Sequence, residues 1–172
     1  DHPANPELKG LVPSAALLDP KEQHMEQPIV SGIAHDRSQD KITVTNLPNN
    51  PGVAARVFSI CAEVGANIDM IVQNVPVSDP TRANITFTLP EGDAKATLDA
   101  LEAAQDEIGF EELRYNPNIG KLSLVGTGMR TNPGVSARLF SALSSAGINI
   151  DLISTSEIRI SVVTKLDDLD RA

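Results

Sequence analysis

The chain has no tryptophan, one tyrosine (Tyr115), one cysteine (Cys61) and four phenylalanines among its 172 residues. With so few aromatics, a core must be assembled from valine, isoleucine, leucine and alanine. One cysteine excludes intrachain disulfides and CxxC metal sites. Its place on the apolar stripe of a helical pattern marks a buried thiol rather than a nucleophile. Basic residues are outnumbered, 14 against 23 acidic, for a net charge of −9. That balance speaks against nucleic acid, whose phosphates need a basic patch, and against anionic membrane surfaces. No apolar run approaches the ~18 residues of a membrane span. No basic stretch leads into an apolar one near the start, so no signal peptide is read, and a cytoplasmic protein is the default expectation. His2 and His24 lie in a proline-rich tail and His35 at the end of a short apolar stretch, so no histidine cluster forms. HExxH, GxSxG, GxxxxGK[ST] and a strand-borne GxGxxG are all missing. The expectation is a segment with no catalytic site, no metal and no cofactor.

What is present is a repeat. PGVAARVFSICAEVGANIDMI (51–71) returns as PGVSARLFSALSSAGINIDLI (133–153), with 11 of the first 19 positions identical and no gap. Each copy follows an alternating run, KITVTNL (41–47) and KLSLVGTGM (121–129). A period of about 80 residues is too long for a solenoid turn and matches a small domain. Two such modules have modest cores, and modules of this size usually lean on each other or on a second chain.

Residues 1–28, with five prolines, read as linker or tail. Residues 29–36 read as a short strand, placed to complete the second sheet from the N-terminal side. The first copy covers 41–117. Lys41–Leu47 alternates as a strand, and LPNNPG is a turn in which Asn50 suits an N-cap and Pro51 a first helical turn. Helix 51–65 buries Val53, Val57, Ile60, Cys61 and Val64 on one face, and Gly65 suits the left-handed position after it. Strand 67–75 puts Ile68, Met70 and Val72 on one side. A hairpin at 77–82 leads to strand 84–89, then to helix 94–108 capped by Asp93, then to strand 111–116. The order is βαββαβ. The second copy, 120–172, repeats strand, helix 133–147 and two strands, and stops as a further helix should begin. The fold class is therefore α+β: two ferredoxin-like βαββαβ modules in tandem, the second incomplete at its C-terminal end.

The chemistry gathers at the strand–loop–helix junctions NNPG (49–52) and TNPG (131–134). Helix N-terminal amides at Gly52, Val53 and Ala54 suit a carboxylate. The repeated Asn-Ile-Asp at 67–69 and 149–151 lies on the following strand, where its polar face can receive an ammonium group. Amides on one side and side-chain oxygens on the other match an α-amino acid. The bland alternative is a plain turn and cap, copied by duplication. Gly52→Asp separates the two readings, provided Gly52 has a negative φ.

The pattern strand–xxPG–helix–NID strand resembles the ACT domain, an amino-acid sensor. NIDMIVQN (67–74), KLSLVGTGM (121–129) with NPGVSARLF (132–140), and NIDLISTSEIRISVV (149–163) resemble the tandem ACT region of the aspartate kinase family. The likeness is greatest to the actinobacterial type that also exists as a separate regulatory β subunit. It covers roughly 25–172 and implies regulation. The family's kinase domain phosphorylates the β-carboxylate of aspartate. The ACT pair binds threonine, lysine or both as feedback inhibitors of the pathway to lysine, threonine and methionine. The kinase domain precedes the ACT pair, and its KFGG-type start is absent here. Met25 fits the start of a β subunit. The resemblance implies a homodimer with sites between modules, and as partners threonine and/or lysine, a second copy of the chain and an aspartate kinase catalytic domain. Carried onto this chain, the first site takes Asn49, Pro51, Gly52, Val53 and Ala54 from the loop, with Asn67, Ile68, Asp69 and Gln73 from the strand. The second takes Asn132, Gly134, Val135, Asn149, Ile150 and Asp151. Family members often carry Asp two residues before the loop proline. Asn49 stands there in this chain, so an ammonium group meets a carboxamide. Two other classes remain: a freestanding ACT sensor or oligomerisation module without a kinase, and an RNA-binding sheet, which would need exposed aromatics that these strands lack.

Overall fold

A computed structural model describes residues 29–127, 134–156 and 158–172. Asn132 lies outside the described residues. The elements are β1 (Ile29–Asp36), β2 (Gln39–Pro48), α1 (Val53–Glu63), β3 (Ile71–Asn74), β4 (Arg82–Pro90), α2 (Glu91–Ala103), α3 (Gln105–Ile108), β5 (Glu112–Asn116), β6 (Ile119–Thr127), α4 (Gly134–Ser145), β7 (Leu152–Thr155) and β8 (Arg159–Lys165), closed by a 3-10 turn at Leu166–Arg171.

The first sheet runs β3-β4-β2-β5, every neighbour antiparallel. Its alternation is clean because one face is buried. Ala83, Ile85, Phe87 and Leu89 of β4 are all buried, as are Ile42 and Val44 of β2. Against them α1 brings Val57, Ile60 and Cys61, and α2 brings Leu101. Phe58 meets Phe87 edge to face, ring centroids 5.7 Å apart. Each such aliphatic or aromatic side chain contributes about 1.5–3 kcal/mol by burial. Burial also pushes the Cys61 thiol up to about 11, as suits a thiol in an apolar core.

The second sheet runs β1-β6-β8-β7. β1 pairs antiparallel with β6, with Asp36 opposite Lys121, and occupies the place that β5 holds in the first sheet. α4 covers this sheet through Leu143, packed with Leu122, Ile148 and Val162. Where the first module has α2, the second has the 3-10 turn, which buries Leu169. Gly120 leaves room for it: a Cβ there would stand 3.1 Å from Leu169. A cleft of about 530 Å³ remains beside it, between Leu122, Val135 and Leu139.

Several boundaries differ from expectation. The first helix begins at Val53 rather than 51, because Gly52 takes φ 90° and holds the N-cap position with no side-chain cap. Asn50 caps through its carbonyl, which accepts the Val53 N–H at 3.3 Å, not through its side chain. The second helix starts at Glu91 behind Pro90, so Asp93 lies in the first turn, and it breaks at Ala104 into α2 and α3. The strand expected at 67–75 is regular only over Ile71–Asn74. Ile68 and Met70 consequently part company. Ile68 packs on the first core, while Met70 buries against Ile119 and Val163 of the second module.

Candidate functional site

β2 does not run straight into its loop. Its register with β4 slips between Val44 and Leu47, and Asn46 sits in the left-handed region at φ 55°. Asparagine tolerates that conformation better than most residues, and here it is held on every side. Its N–H donates to Asn84 Oδ1 at 2.8 Å, and its Nδ2 to Glu111 Oε2 at 3.1 Å. Arg82 Nε donates to Asn46 Oδ1 at 2.9 Å, and Arg82 Nη2 donates to the Asn46 carbonyl and to the Gly109 carbonyl. The bulge turns Leu47–Asn50 across the end of the sheet toward α1.

Beyond it, Asn49 is tied to the β3–β4 connection. Its N–H donates to the Thr81 carbonyl at 2.8 Å and its Nδ2 to the Pro80 carbonyl at 2.9 Å. An aspartate cannot make the second bond. Pro51 and the left-handed Gly52 then deliver the chain into α1. The result is a cleft of about 350 Å³, at the small end of ligand sites. Asn49, Pro51, Gly52, Val53 and Ala54 form one wall, Gln73 of β3 stands opposite, and Ala83 and Ile85 of β4 form the floor with Leu47 and Pro48 at the side. None of the lining residues is charged. The Val53 N–H, expected to be free, is spent on Asn50; Ala54 and Ala55 carry the first amides that the helix itself leaves unpaired.

The remaining expected residues stand elsewhere. Asn67 is exposed, and its N–H donates to Asp93 Oδ2 at 3.1 Å. Ile68 is partly buried on the first core. Asp69 accepts an ion pair from Lys121, and Asp151 one from Lys41. In the second module Val135 is buried against Ile160, next to Gly134, the first residue of α4. Asn149 and Ile150 line a separate cleft of about 390 Å³ with Phe140 and Ser144. The structure thus brings together six of the expected residues of the first module and none of the second module's described set with them.

Sequence reasoning missed Asn46, Arg82, Lys41 and Lys121. The two lysines had a signal, since each opens the repeated strand. Among the described residues no group of three or more His, Cys, Asp or Glu is placed to hold a metal. Among the described residues no helix is long and apolar enough to cross a membrane.

The ACT domain family matches at residues 42–105 and 122–172. The chain is 51% identical over 148 residues to the aspartokinase of Mycolicibacterium smegmatis, covering 86% of this chain and 35% of that protein. It therefore spans about a third of that relative's length. The crystal structure of the regulatory subunit of aspartate kinase from Thermus thermophilus, ligand-free, superimposes with a TM-score of 0.77 at 41% identity, covering 82% of this chain and 91% of that one. A chain from a structure of aspartokinase α and β subunits superimposes with a TM-score of 0.74 at 40% identity, covering 81% and 90%.

Proposed function

We propose, because this chain belongs to the ACT-domain family and is the regulatory ACT region of an aspartokinase, that it senses threonine and/or lysine and transmits their binding as feedback inhibition. The observation that carries this reading is the cleft in which the first PG loop faces Gln73. The ligand's α-carboxylate is taken by the amides at the start of α1, at Ala54 and Ala55, where the helix dipole also favours negative charge. Its ammonium group meets the side-chain oxygens of Asn49 and Gln73. A cleft without charged lining favours a zwitterion whose own charges are satisfied by dipoles. Ala83, Ile85 and Leu47 offer apolar contact to a short side chain, which favours threonine over lysine at this cleft.

The chain works in this reading as a homodimer attached to, or assembled with, an aspartate kinase catalytic domain in the cytoplasm. The exposed Asn67 and Asn149 segments are then available to a loop of the second copy. Gly134, Val135, Ile150 and the Asn132 position serve the corresponding site of the second module.

Calorimetry with threonine, lysine and methionine, singly and in pairs, tests the proposal. Threonine binding to the isolated chain, lost in Gln73→Ala, is expected. Absence of heat with all three at millimolar concentration, together with an unchanged melting temperature, would overturn it.

A further inference from the structure

We propose that the second module sets the shape of the first module's cleft through two reciprocal ion pairs. The proposal rests on reading that cleft as the amino-acid site and names its regulation. Lys41, near the start of β2, pairs with Asp151 of the second module. Lys121, near the start of β6, pairs with Asp69 of the first. Each lysine opens the repeated strand of its own copy, and each aspartate ends the repeated Asn-Ile-Asp of the other. The arrangement is a pseudo-twofold clasp.

These are not ordinary surface pairs. The Lys121 side chain is 9% exposed and that of Lys41 17%. Met70, next to Asp69, is buried against Ile119 and Val163, so the joint between modules is apolar beside the charges. Asp69 and Asp151 keep 38% and 46% exposure, so each pair joins a largely buried ammonium group to a carboxylate at the rim, and the lysine, stripped of most of its water, depends on that partner.

What the clasp holds is the cleft's own framework. β2 carries Lys41 near one end and Leu47 and Pro48 at the other, about 20 Å apart at strand rise. Asp69 lies two residues before β3, which carries Gln73. The Asp69 N–H donates to the Thr88 carbonyl at 3.0 Å, and the Met70 N–H to Thr88 Oγ1 at 3.1 Å. This fixes the same point to β4, whose far end holds Ala83 and Ile85. All three strands that build the cleft are gripped at the end remote from it. A change of angle between modules moves the cleft walls, and a ligand bridging those walls biases the angle by the same free energy.

The test uses the whole chain with Lys121→Ala, Asp69→Ala and the exchanged pair Lys121→Asp with Asp69→Lys. Hydrogen exchange by mass spectrometry is read without ligand over 47–54 and 71–75, and threonine and lysine affinity by calorimetry. Both single variants are expected to accelerate exchange in both cleft segments and to weaken amino-acid binding about fivefold or more. The exchanged pair is expected to restore the exchange rates and most of the affinity. If Lys121→Ala does not fold, Lys121→Met keeps the stem and removes the charge. Exchange that rises only around 67–70 and 119–123, or a loss of affinity that the exchanged pair does not restore, would overturn the proposal. If the parent chain binds neither amino acid, the functional reading falls, and the exchange rates over the cleft segments alone decide this one.

Discussion

The guanidinium of Arg82 bonds both the side-chain and the main-chain oxygen of Asn46. It thereby holds the bulge from which the cleft loop departs. Arg82→Ala leaves these acceptors and the Gly109 carbonyl without their donor. It is expected to destabilise the chain by about 1.5–3 kcal/mol, the range for hydrogen bonds from a charged group. Arg82→Lys should recover less than half of this, because a single ammonium cannot reproduce the planar fork. Urea denaturation followed by circular dichroism measures both.

Tyr115 donates its hydroxyl to Asp40 Oδ2, and Asp40 is only 2% exposed. That hydrogen bond to a carboxylate, with burial behind it, raises the phenol from 10.0 to about 12. The folded state therefore favours the protonated phenol. The stability gained is fully present below pH 10 and lost as pH rises from 10 towards 12. With one tyrosine and no tryptophan, tyrosinate absorbance near 295 nm reports this group alone. The native chain should titrate well above the urea-unfolded chain, and equal midpoints would show that the bond is not made.

Gly52 at φ 90° alters what substitutions there can report. A Cβ there meets no atom within 4 Å, so space at that atom is not the obstacle. The backbone is. Gly52→Ala should cost on the order of 1–2 kcal/mol from the left-handed conformation alone, and Gly52→Asn less. Gly52→Asp consequently no longer separates a ligand role from a scaffold role, and Gln73→Ala replaces it for that purpose. Thermal unfolding of the Ala and Asn variants checks the ranking.

Cys61 is 1% exposed, and its thiol is pushed up to about 11 by burial. A thiol reagent at pH 8 should react with the native chain only through opening of the first core, and at once in urea. The reaction rate then becomes a gauge of that module's stability. Rapid native labelling would place Cys61 at the surface.

The strands and helices were legible because their signals are local. Ile42 and Val44, then Ile85, Phe87 and Leu89, alternate as a half-buried sheet must, and Val57, Ile60 and Cys61 follow the helical period. The repeat doubled each signal. The cleft loop was legible for the same reason, since its residues are contiguous. What could not be read is long-range. Asn46 meets Arg82 across 36 positions and Lys121 meets Asp69 across 52, and neither partner carries a mark of the other. Met70 departs from its expected face because alternation presumes a regular strand, whereas Asp69 and Met70 both bond to Thr88 of β4 and Met70 buries its side chain in the neighbouring module.

The place of β1 has a consequence for how the chain folds. β1 and β6 are partners separated by roughly 80 residues, the whole first module lying between them. That module begins and ends on adjacent strands, with Lys41 opposite Asn116. Once it has folded, its two ends are neighbours, and Asp36 is delivered beside Lys121. The long loop shrinks to the equivalent of a hairpin turn, which lowers the closure cost by about 2 kcal/mol. The first module is therefore an independent nucleus and the second a dependent one. A fragment spanning 37–117 should fold alone, while 118–172 without β1 should not.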